Sequence, residues 1–320
     1  MDKITPIDTQ TGGRVECFWD SKDNLWGFRG SSFGSCLHGA VMSLRGSRSR
    51  RPNVSTRTRF KSGSDSEERI KELLRGVDAN LQDDQSHYTQ QRKVHLYGDV
   101  RDEDYRISCS LDGWSYNLWD FIQKSVGPVY DPGLSISKRY WEPFDGHFVF
   151  EHKSVQTEKW QSIFGHAGSS SMMRAPGLFC SERFRAGMRT YAWQVSAQAH
   201  ALAADLSLST PPPILISLEE VIPQEVEGET TFIPNRRALV LLGSPPYSAQ
   251  ECLGRCATAV DFYRKGNVPS CDSEWQCYWD YPQYAATVTE IPFFPPASPD
   301  AVQELAEGSG IIFSQMIKHH

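Results

Sequence analysis

An acid and a base stand two residues apart at the end of an apolar segment. In FVFEHKSV, residues 148–155, three large apolar residues lead directly into Glu151, His152 and Lys153. The apolar run predicts a buried strand. Because side chains alternate across a strand, Glu151 and Lys153 would project from the same face. The strand would therefore end by presenting a carboxylate and an ammonium group side by side.

Two further carboxylates could join this pair. Glu67 lies in the first turn of a helix predicted for SEERIKELLRGV, and Asp112 lies near the end of the predicted strand YRISCSLDGW. Carboxylate oxygens suit Mg²⁺, which keeps several waters and leaves room for a phosphate. A lysine beside that cation could position or deprotonate an attacking water and offset charge on the phosphorus. The chemistry would be metal-dependent phosphodiester hydrolysis.

The elements that must position these residues predict an α/β fold. Helices are predicted over 31–46, from Ser64 or Ser66 onward, near 117–126, over 183–206 and over 248–266. Strands are predicted over 93–100, 105–114, 148–155, 211–223 and 236–246, with an acidic turn at 101–104 and a hairpin turn at Asp145-Gly146. Residues 156–180 are polar and rich in Gly and Ser, which predicts a mobile loop.

Length and charge set further limits. The chain has 320 residues, 39% of them hydrophobic, which is enough for a core without disulfides. It shows no secretory signal and no apolar stretch long enough to span a membrane, so we expect an intracellular, cytoplasmic protein (host cytoplasm if viral) with no membrane partner. The net charge of -6 argues against coating nucleic acid through bulk charge. Residues 45–61 are an exception, with seven Arg and Lys and no acid.

The order of these motifs resembles the PD-(D/E)XK nuclease superfamily, and more closely its RecB-like and phage exonuclease branch, which includes lambda exonuclease and the YqaJ proteins. Five segments carry the resemblance, in chain order: RGSSFGSCLHGAV, GSDSEERIKELL, SLDG, FEHK and YAWQVSAQAHAL. They cover roughly residues 29–206. The resemblance implies a mixed central sheet flanked by helices, with a restriction-endonuclease-like core. It divides the chain into an irregular lead-in over 1–28, a nuclease domain over 29–290 with an insertion at 115–140, and a Pro-rich tail over 291–320.

The resemblance also implies roles for individual residues. Glu67, Asp112, Glu151 and the His152 backbone carbonyl would bind Mg²⁺, for which Mn²⁺ could substitute. Lys153 would handle the water nucleophile, and Gln194 would hold the lysine or a phosphate. The implied function is a DNA exonuclease, rather than an endonuclease, in phage-type recombination or DNA processing. Implied partners are DNA, a single-strand annealing or recombination protein, and a second copy in a homo-oligomer.

Two departures and several alternatives accompany this interpretation. The 39-residue step from Asp112 to Glu151 (151 − 112) implies an insertion, and Gln198 stands where a Tyr often follows the Gln. Asp112-Gly113 taken alone is typical of a turn, and Glu68 could replace Glu67. A catalytically silent DNA-binding relative and a scaffold protein are the alternative functions.

The basic run has two interpretations. Five of its arginines could contact phosphates, namely Arg48, Arg50, Arg51, Arg57 and Arg59. A solvated Arg/Ser loop is the alternative, in which case DNA would be held by the arginines near the Ala-rich helix, namely Arg183, Arg185 and Arg189.

The cysteines also have two interpretations. Several relatives hold an iron–sulfur cluster with one early and three late cysteines, which would correspond here to Cys36, Cys271 and Cys277. The late motif is incomplete, and Cys252 and Cys256 are spaced for one helix face rather than a ligand knuckle. Buried thiols are the alternative.

Overall fold

A computed structural model describes residues 17–34, 36–44, 54–77, 92–125, 146–164, 177–178, 188–226 and 229–270. The strands in these ranges are β1 (Cys17–Asp20), β2 (Leu25–Arg29), β3 (Arg92–Asp99), β4 (Asp104–Leu111), β5 (Gly113–Ser115), β6 (Phe148–Gln156), β7 (Gly177–Leu178), β8 (Ile214–Val226) and β9 (Glu229–Leu242). The helices are α1 (Leu37–Leu44), α2 (Val54–Val77), α3 (Leu118–Ser125), α4 (Thr157–Phe164), α5 (Arg189–Asp205) and α6 (Ala249–Arg264).

The strands form two mixed sheets. One has the order β1-β2-β4-β3 and the other has the order β5-β6-β8-β9-β7. The predicted mixed α/β architecture is confirmed, but the prediction of one central sheet is wrong. The chain passes from the first sheet to the second at Asp112, which separates the end of β4 from the start of β5.

The first sheet contains a hairpin where the sequence predicted an irregular lead-in. β1 and β2 pair antiparallel, and Asn24 in the intervening turn has a φ of 53°. This left-handed conformation is one that Asn adopts more readily than most residues. The described part of the segment 1–28 therefore belongs to the folded core. β3 and β4 form the predicted acidic-turn hairpin, closed by a 2.9 Å hydrogen bond from the Val100 N–H to the Glu103 carbonyl.

The second sheet is built around β6. This strand pairs antiparallel with β5 and parallel with β8, while β8 and β9 form a long antiparallel pair. The first residues of β6 are Phe148, Val149 and Phe150. All three are buried, which confirms the predicted core strand. The residues expected to pair with β6 across the Asp145-Gly146 turn lie outside the described ranges.

Two helices cover opposite faces of β6. Ser66 of α2 contacts the side chain of His152, whereas Gln194 of α5 contacts the side chain of Glu151. Since adjacent residues of a strand point to opposite faces, the two helices must lie on opposite sides of β6. The α5 helix, whose small alanines allow close packing, also contacts β3 and β4 of the first sheet and thereby links both sheets.

Several helix boundaries differ from prediction. Predicted to begin near Ser31, α1 begins at Leu37 because residues 31–34 form a turn that packs Gly34 against Trp193 of α5. The α2 helix begins at Val54, so part of the predicted basic loop is helical. Helix α4 occupies 157–164, where a mobile loop was predicted, and buries Trp160.

Other helices are confirmed. Helix α3 matches the short helix predicted within the insertion at 115–140. Helix α6 has Ser248 and Glu251 as a complete capping box, and Gly266 follows its end with a φ of 69°. No helix among the described residues combines the length and apolar character that crossing a bilayer requires.

Candidate functional site

Glu151 and Lys153 lie on the same face of β6, as predicted. Glu151 is fully buried, and the Lys153 ammonium pairs with its Oε1. The Lys153 side chain keeps 18% of its surface exposed. The pair therefore joins a buried carboxylate to a cation that reaches toward solvent.

Asp112 reaches the same pair from the junction of the two sheets. β5 pairs with β6 only at residues 148–150, so among the described residues no strand adjoins the β6 edge beyond Phe150 on that side. There the N–H of His152 donates to Oδ2 of Asp112 at 2.9 Å. The Asp112 carboxylate thus takes the place of the missing strand partner and lies beside the Glu151–Lys153 segment.

The charges of these three groups are strongly coupled. Burial and then the nearby Glu151 charge raise the pKa of Asp112 to about 7, although Lys153 opposes the shift. Burial alone would lower the pKa of Lys153, but Glu151 and Asp112 outweigh it and raise that pKa above its ordinary value. Lys153 is therefore an ammonium ion, and Asp112 is a buried carboxyl group that lies beside a second carboxylate.

Two glutamines of α5 hold the buried carboxylate. Gln194 donates to Oε1 of Glu151 at 2.6 Å, and Gln198 donates to Oε2 at 2.7 Å and to the Ser110 carbonyl at 3.0 Å. Gln194, which was predicted to hold the lysine or a phosphate, contacts Glu151 instead. Gln198 was noted only as a departure, yet its spacing of four residues from Gln194 indicates the same helix face.

Glu67 lies at the edge of this cluster. Its carboxylate pairs with Lys71 one turn along α2 and keeps 29% of its surface exposed. Its charge contributes to the raised pKa of Asp112, so it acts electrostatically on the cluster. The alternative, Glu68, is exposed to solvent.

His152 supports the site from the opposite face of β6. Its Nε2 lies 2.7 Å from Oγ of Ser66, and its Nδ1 lies 3.1 Å from Oγ of Ser217. Burial and then the positive charge of Lys153 lower the pKa of His152 to about 3, so the ring is neutral. Because Ser66 uses its single proton to donate to Glu219 at 2.6 Å, His152 carries its proton on Nε2 and accepts at Nδ1 from Ser217.

Glu219 fixes α2 to the second sheet. It is fully buried on β8 and accepts from Ser66 and Arg69 of α2 and, at 2.8 Å, from Arg237 of β9. Two arginines and a hydroxyl therefore satisfy a carboxylate that would be costly to bury alone. Because Glu67 directly follows Ser66 on α2, this network also fixes the position of Glu67 relative to Asp112.

We compared the chain with protein families, curated proteins and solved structures. No family model, curated protein or solved structure matches the chain. What the site can do is therefore argued from its own geometry.

The carboxylate oxygens of the acidic cluster are of the type that a hard cation prefers, but they are not arranged around a common point. Within the described ranges, no group of three or more His, Cys, Asp or Glu side chains is arranged to hold a metal ion. The oxygens of Glu151 are occupied by Lys153, Gln194 and Gln198. Burial and then the Glu151 charge raise the pKa of Asp112, so a cation bound beside these carboxylates would favour its charged form. The residues thus fit a divalent cation, provided that Glu151 gives up its ion pair with Lys153 and contacts the cation instead.

Parts of the other predicted sites lie outside the described residues. Arg48, Arg50, Arg51, Arg183 and Arg185 fall there, whereas Arg57 and Arg59 lie on α2 and Arg189 begins α5. Cys271 and Cys277 also fall outside. Cys36 is buried and forms no disulfide with another described residue, and the same holds for Cys17, Cys109, Cys252 and Cys256.

Proposed function

We propose that the protein is a metal-dependent deoxyribonuclease, with exonuclease favoured over endonuclease activity. One observation carries this proposal: Asp112, Glu151 and Lys153 meet at one point, although the aspartate comes from a sheet junction and the other two from β6. Convergence of two carboxylates and a lysine is unusual for a purely structural role, because like charges destabilise a buried cluster. The pairing of β6 with β5 and β8 in one mixed sheet, with helices on both faces of β6, supports a restriction-endonuclease-like core.

Mg²⁺ is the proposed cofactor, with Mn²⁺ as a substitute. Asp112, Glu151, Glu67 and the His152 backbone carbonyl would hold it, since all offer the oxygen ligands that such cations prefer. Bound there, the cation would offset negative charge on the scissile phosphate. An iron–sulfur cluster is not part of this proposal.

Lys153 would act as a cation rather than as a base. Its raised pKa keeps the ammonium form, which can orient a water molecule and donate a hydrogen bond to a phosphate oxygen. Gln194 and Gln198 would keep Glu151 in one orientation when Lys153 turns from it toward the substrate.

The biological setting is proposed from the sequence resemblance. A role in phage-type recombination or DNA processing would bring DNA, a single-strand annealing or recombination protein, and a second copy of the chain as partners. The described cysteines form no disulfide with one another, a state typical of a reducing compartment, which supports a cytoplasmic location.

A second candidate is a catalytically silent DNA-binding protein. The observation that favours it is the full set of hydrogen bonds at Glu151, which would also stabilise a site that binds no metal. The two candidates differ in whether a phosphodiester bond is broken.

Cleavage assays distinguish the candidates. Purified protein would be incubated with end-labelled linear DNA and with closed circular DNA, each with Mg²⁺ and with EDTA. The proposal predicts loss of label from linear DNA in Mg²⁺ only, with circular DNA resistant if the enzyme is an exonuclease. Binding of DNA without cleavage in either Mg²⁺ or Mn²⁺ would establish the silent alternative.

A further inference from the structure

A large aromatic side chain is exposed on α2, two helical turns before Glu67. Phe60 has 57% of its surface exposed. Single exposed apolar residues are common on protein surfaces, so exposure alone indicates nothing. What distinguishes Phe60 is its position on the helix and the charge of its neighbours.

Phe60 projects from the same flank of α2 as Glu67. The two residues are seven positions apart, which is about two helical turns and roughly 10 Å along the axis. The sheet-facing side of α2 is marked by Ser66, which contacts His152, and by Gly63, where a Cβ would lie 3.6 Å from Oγ of Ser154. Glu67 lies beside that sheet-facing side, on the flank toward Asp112, and Phe60 follows it on the same flank. A strand leading to the acidic cluster along this flank would pass the phenyl ring.

The segment around Phe60 is basic although the chain is acidic. Residues 54–63 contain Arg57, Arg59 and Lys61 and no acid, whereas the whole chain has a net charge of -6. Lys61 is exposed directly beside Phe60. Cations hold phosphates, and an aromatic ring offers a face on which a base can stack.

The surroundings of Phe60 favour a nucleobase over a protein partner. Protein interfaces have a core in which several apolar residues adjoin. On α2 the positions one turn from Phe60 are Thr56, Arg57, Gly63 and Ser64, and the adjacent positions are Arg59 and Lys61. A single aromatic ring among cations and small residues matches the pattern of single-stranded nucleic acid sites, where stacking and phosphate contacts alternate.

We infer that Phe60 is a stacking platform for an unpaired base of a nucleic acid strand, one of whose phosphates contacts Lys61. The inference rests on the proposed function in one respect. That function implies that the strand leads to the cluster of Asp112, Glu151 and Lys153. It narrows the substrate class to nucleic acid ends with a single-stranded segment, because bases inside a blunt duplex already stack on each other.

Binding without cleavage tests the inference. Fluorescence anisotropy in EDTA would measure the affinity for labelled single-stranded DNA, for RNA of the same sequence and for a blunt DNA duplex. Since stacking contributes about 1–3 kcal/mol per base, Phe60→Ala should weaken single-strand binding on the order of 10- to 100-fold. Phe60→Trp should restore it. Tyr97→Ala is the matched control, because Tyr97 is also 57% exposed but lies on β3, and it should bind as wild type.

Salt dependence separates stacking from charge. Phe60→Ala should leave the slope of log affinity against log salt unchanged, whereas Lys61→Ser should lower it by about 0.7. Circular dichroism would verify that each variant is folded. Wild-type affinity in folded Phe60→Ala, or equal losses for Phe60→Ala and Tyr97→Ala, would overturn the inference.

The test also distinguishes failure of the inference from failure of the proposed function. Binding that depends on Phe60 in a protein that never cleaves DNA would sustain the stacking site and reject the nuclease. If a Phe60→Ala variant cleaves DNA and keeps its single-strand affinity, the nuclease would be sustained and the stacking site rejected. Loss of duplex binding equal to loss of single-strand binding would also reject stacking on an unpaired base.

Discussion

Nε2 of Gln198 lies 2.7 Å from Oε2 of Glu151, while Gln194, one turn earlier on α5, donates to the other oxygen. Each oxygen of the buried carboxylate therefore has its own amide donor. A hydrogen bond to a charged group stabilises more than one between neutral groups. The two glutamines thus hold Glu151 in a single orientation that does not depend on Lys153.

Replacing Gln198 should destabilise the protein. Gln198→Ala removes a donor from a fully buried carboxylate, which should lower the free energy of unfolding by about 1–3 kcal/mol. Urea denaturation of both proteins would measure the change. Gln250→Ala on the exposed side of α6 is the control and should unfold as wild type does. If the two variants are equally stable, the second amide contributes nothing to holding Glu151.

Replacing Lys153 should separate cleavage from binding. Lys153→Ala removes the cation that would orient water, so the cleavage rate should fall on the order of 10²-fold or more. Affinity for DNA in EDTA should change little, because the phosphate contacts proposed on α2 remain. Lys22→Ala, in the exposed β1–β2 turn, is the control for loss of a lysine. A Lys153→Ala protein that cleaves at the wild-type rate would remove this residue from the mechanism.

Neutralising the carboxylates should abolish metal binding. Asp112→Asn and Glu151→Gln keep the side-chain shape but remove a ligand charge, so both should weaken Mg²⁺ binding and stop cleavage. Excess Mn²⁺, which binds oxygen and nitrogen donors more broadly, should restore a small part of the activity. Calorimetric titration with Mg²⁺ measures the affinity, and Glu225→Gln in the exposed part of β8 is the control. Unchanged affinity in both variants would place the metal elsewhere.

Removing the Ser66 hydroxyl should loosen α2 from the sheet. Ser66→Ala leaves both Nε2 of His152 and one contact of Glu219 without the partner they share, which should cost about 1–3 kcal/mol of unfolding free energy. Thermal denaturation of Ser66→Ala against Ser64→Ala measures this cost. Ser64 is exposed on the same helix and bonds only the Phe60 carbonyl among the described residues. Equal melting temperatures would mean that the network does not anchor the helix.

The sequence predicts the centre of the site better than its surroundings. Glu151 and Lys153 share a face because strand periodicity leaves no other arrangement, and Asp112-Gly113 indicates where the preceding strand bends. The Ala-rich segment that becomes α5 has strong helix propensity, which brings Gln194 to a defined face. Each of these predictions depends on local rules that act within about ten residues.

Features that depend on long-range packing were missed. The division into two sheets follows from a break in strand pairing at Asp112, which no local pattern encodes. The basic run was interpreted as a loop because of its charge, yet α2 starts at Val54, directly after Pro52 and Asn53, which are residues common at helix starts. The strands β1 and β2 were missed because their alternation is short, although β2 pairs with β4 far along the chain.

Because Asp112 lies between the two sheets, the position of β4 determines the position of the Asp112 carboxylate. β4 is held on both sides, by β2 and by β3, and it ends one residue before the aspartate. A small rotation of the four-stranded sheet would therefore move the Asp112 carboxylate relative to Glu151, which stays with the other sheet. The geometry of the acidic cluster therefore depends on the angle between the sheets, and we expect substitutions in the β1–β2 hairpin to change the distance from Asp112 to Glu151 without contacting either residue.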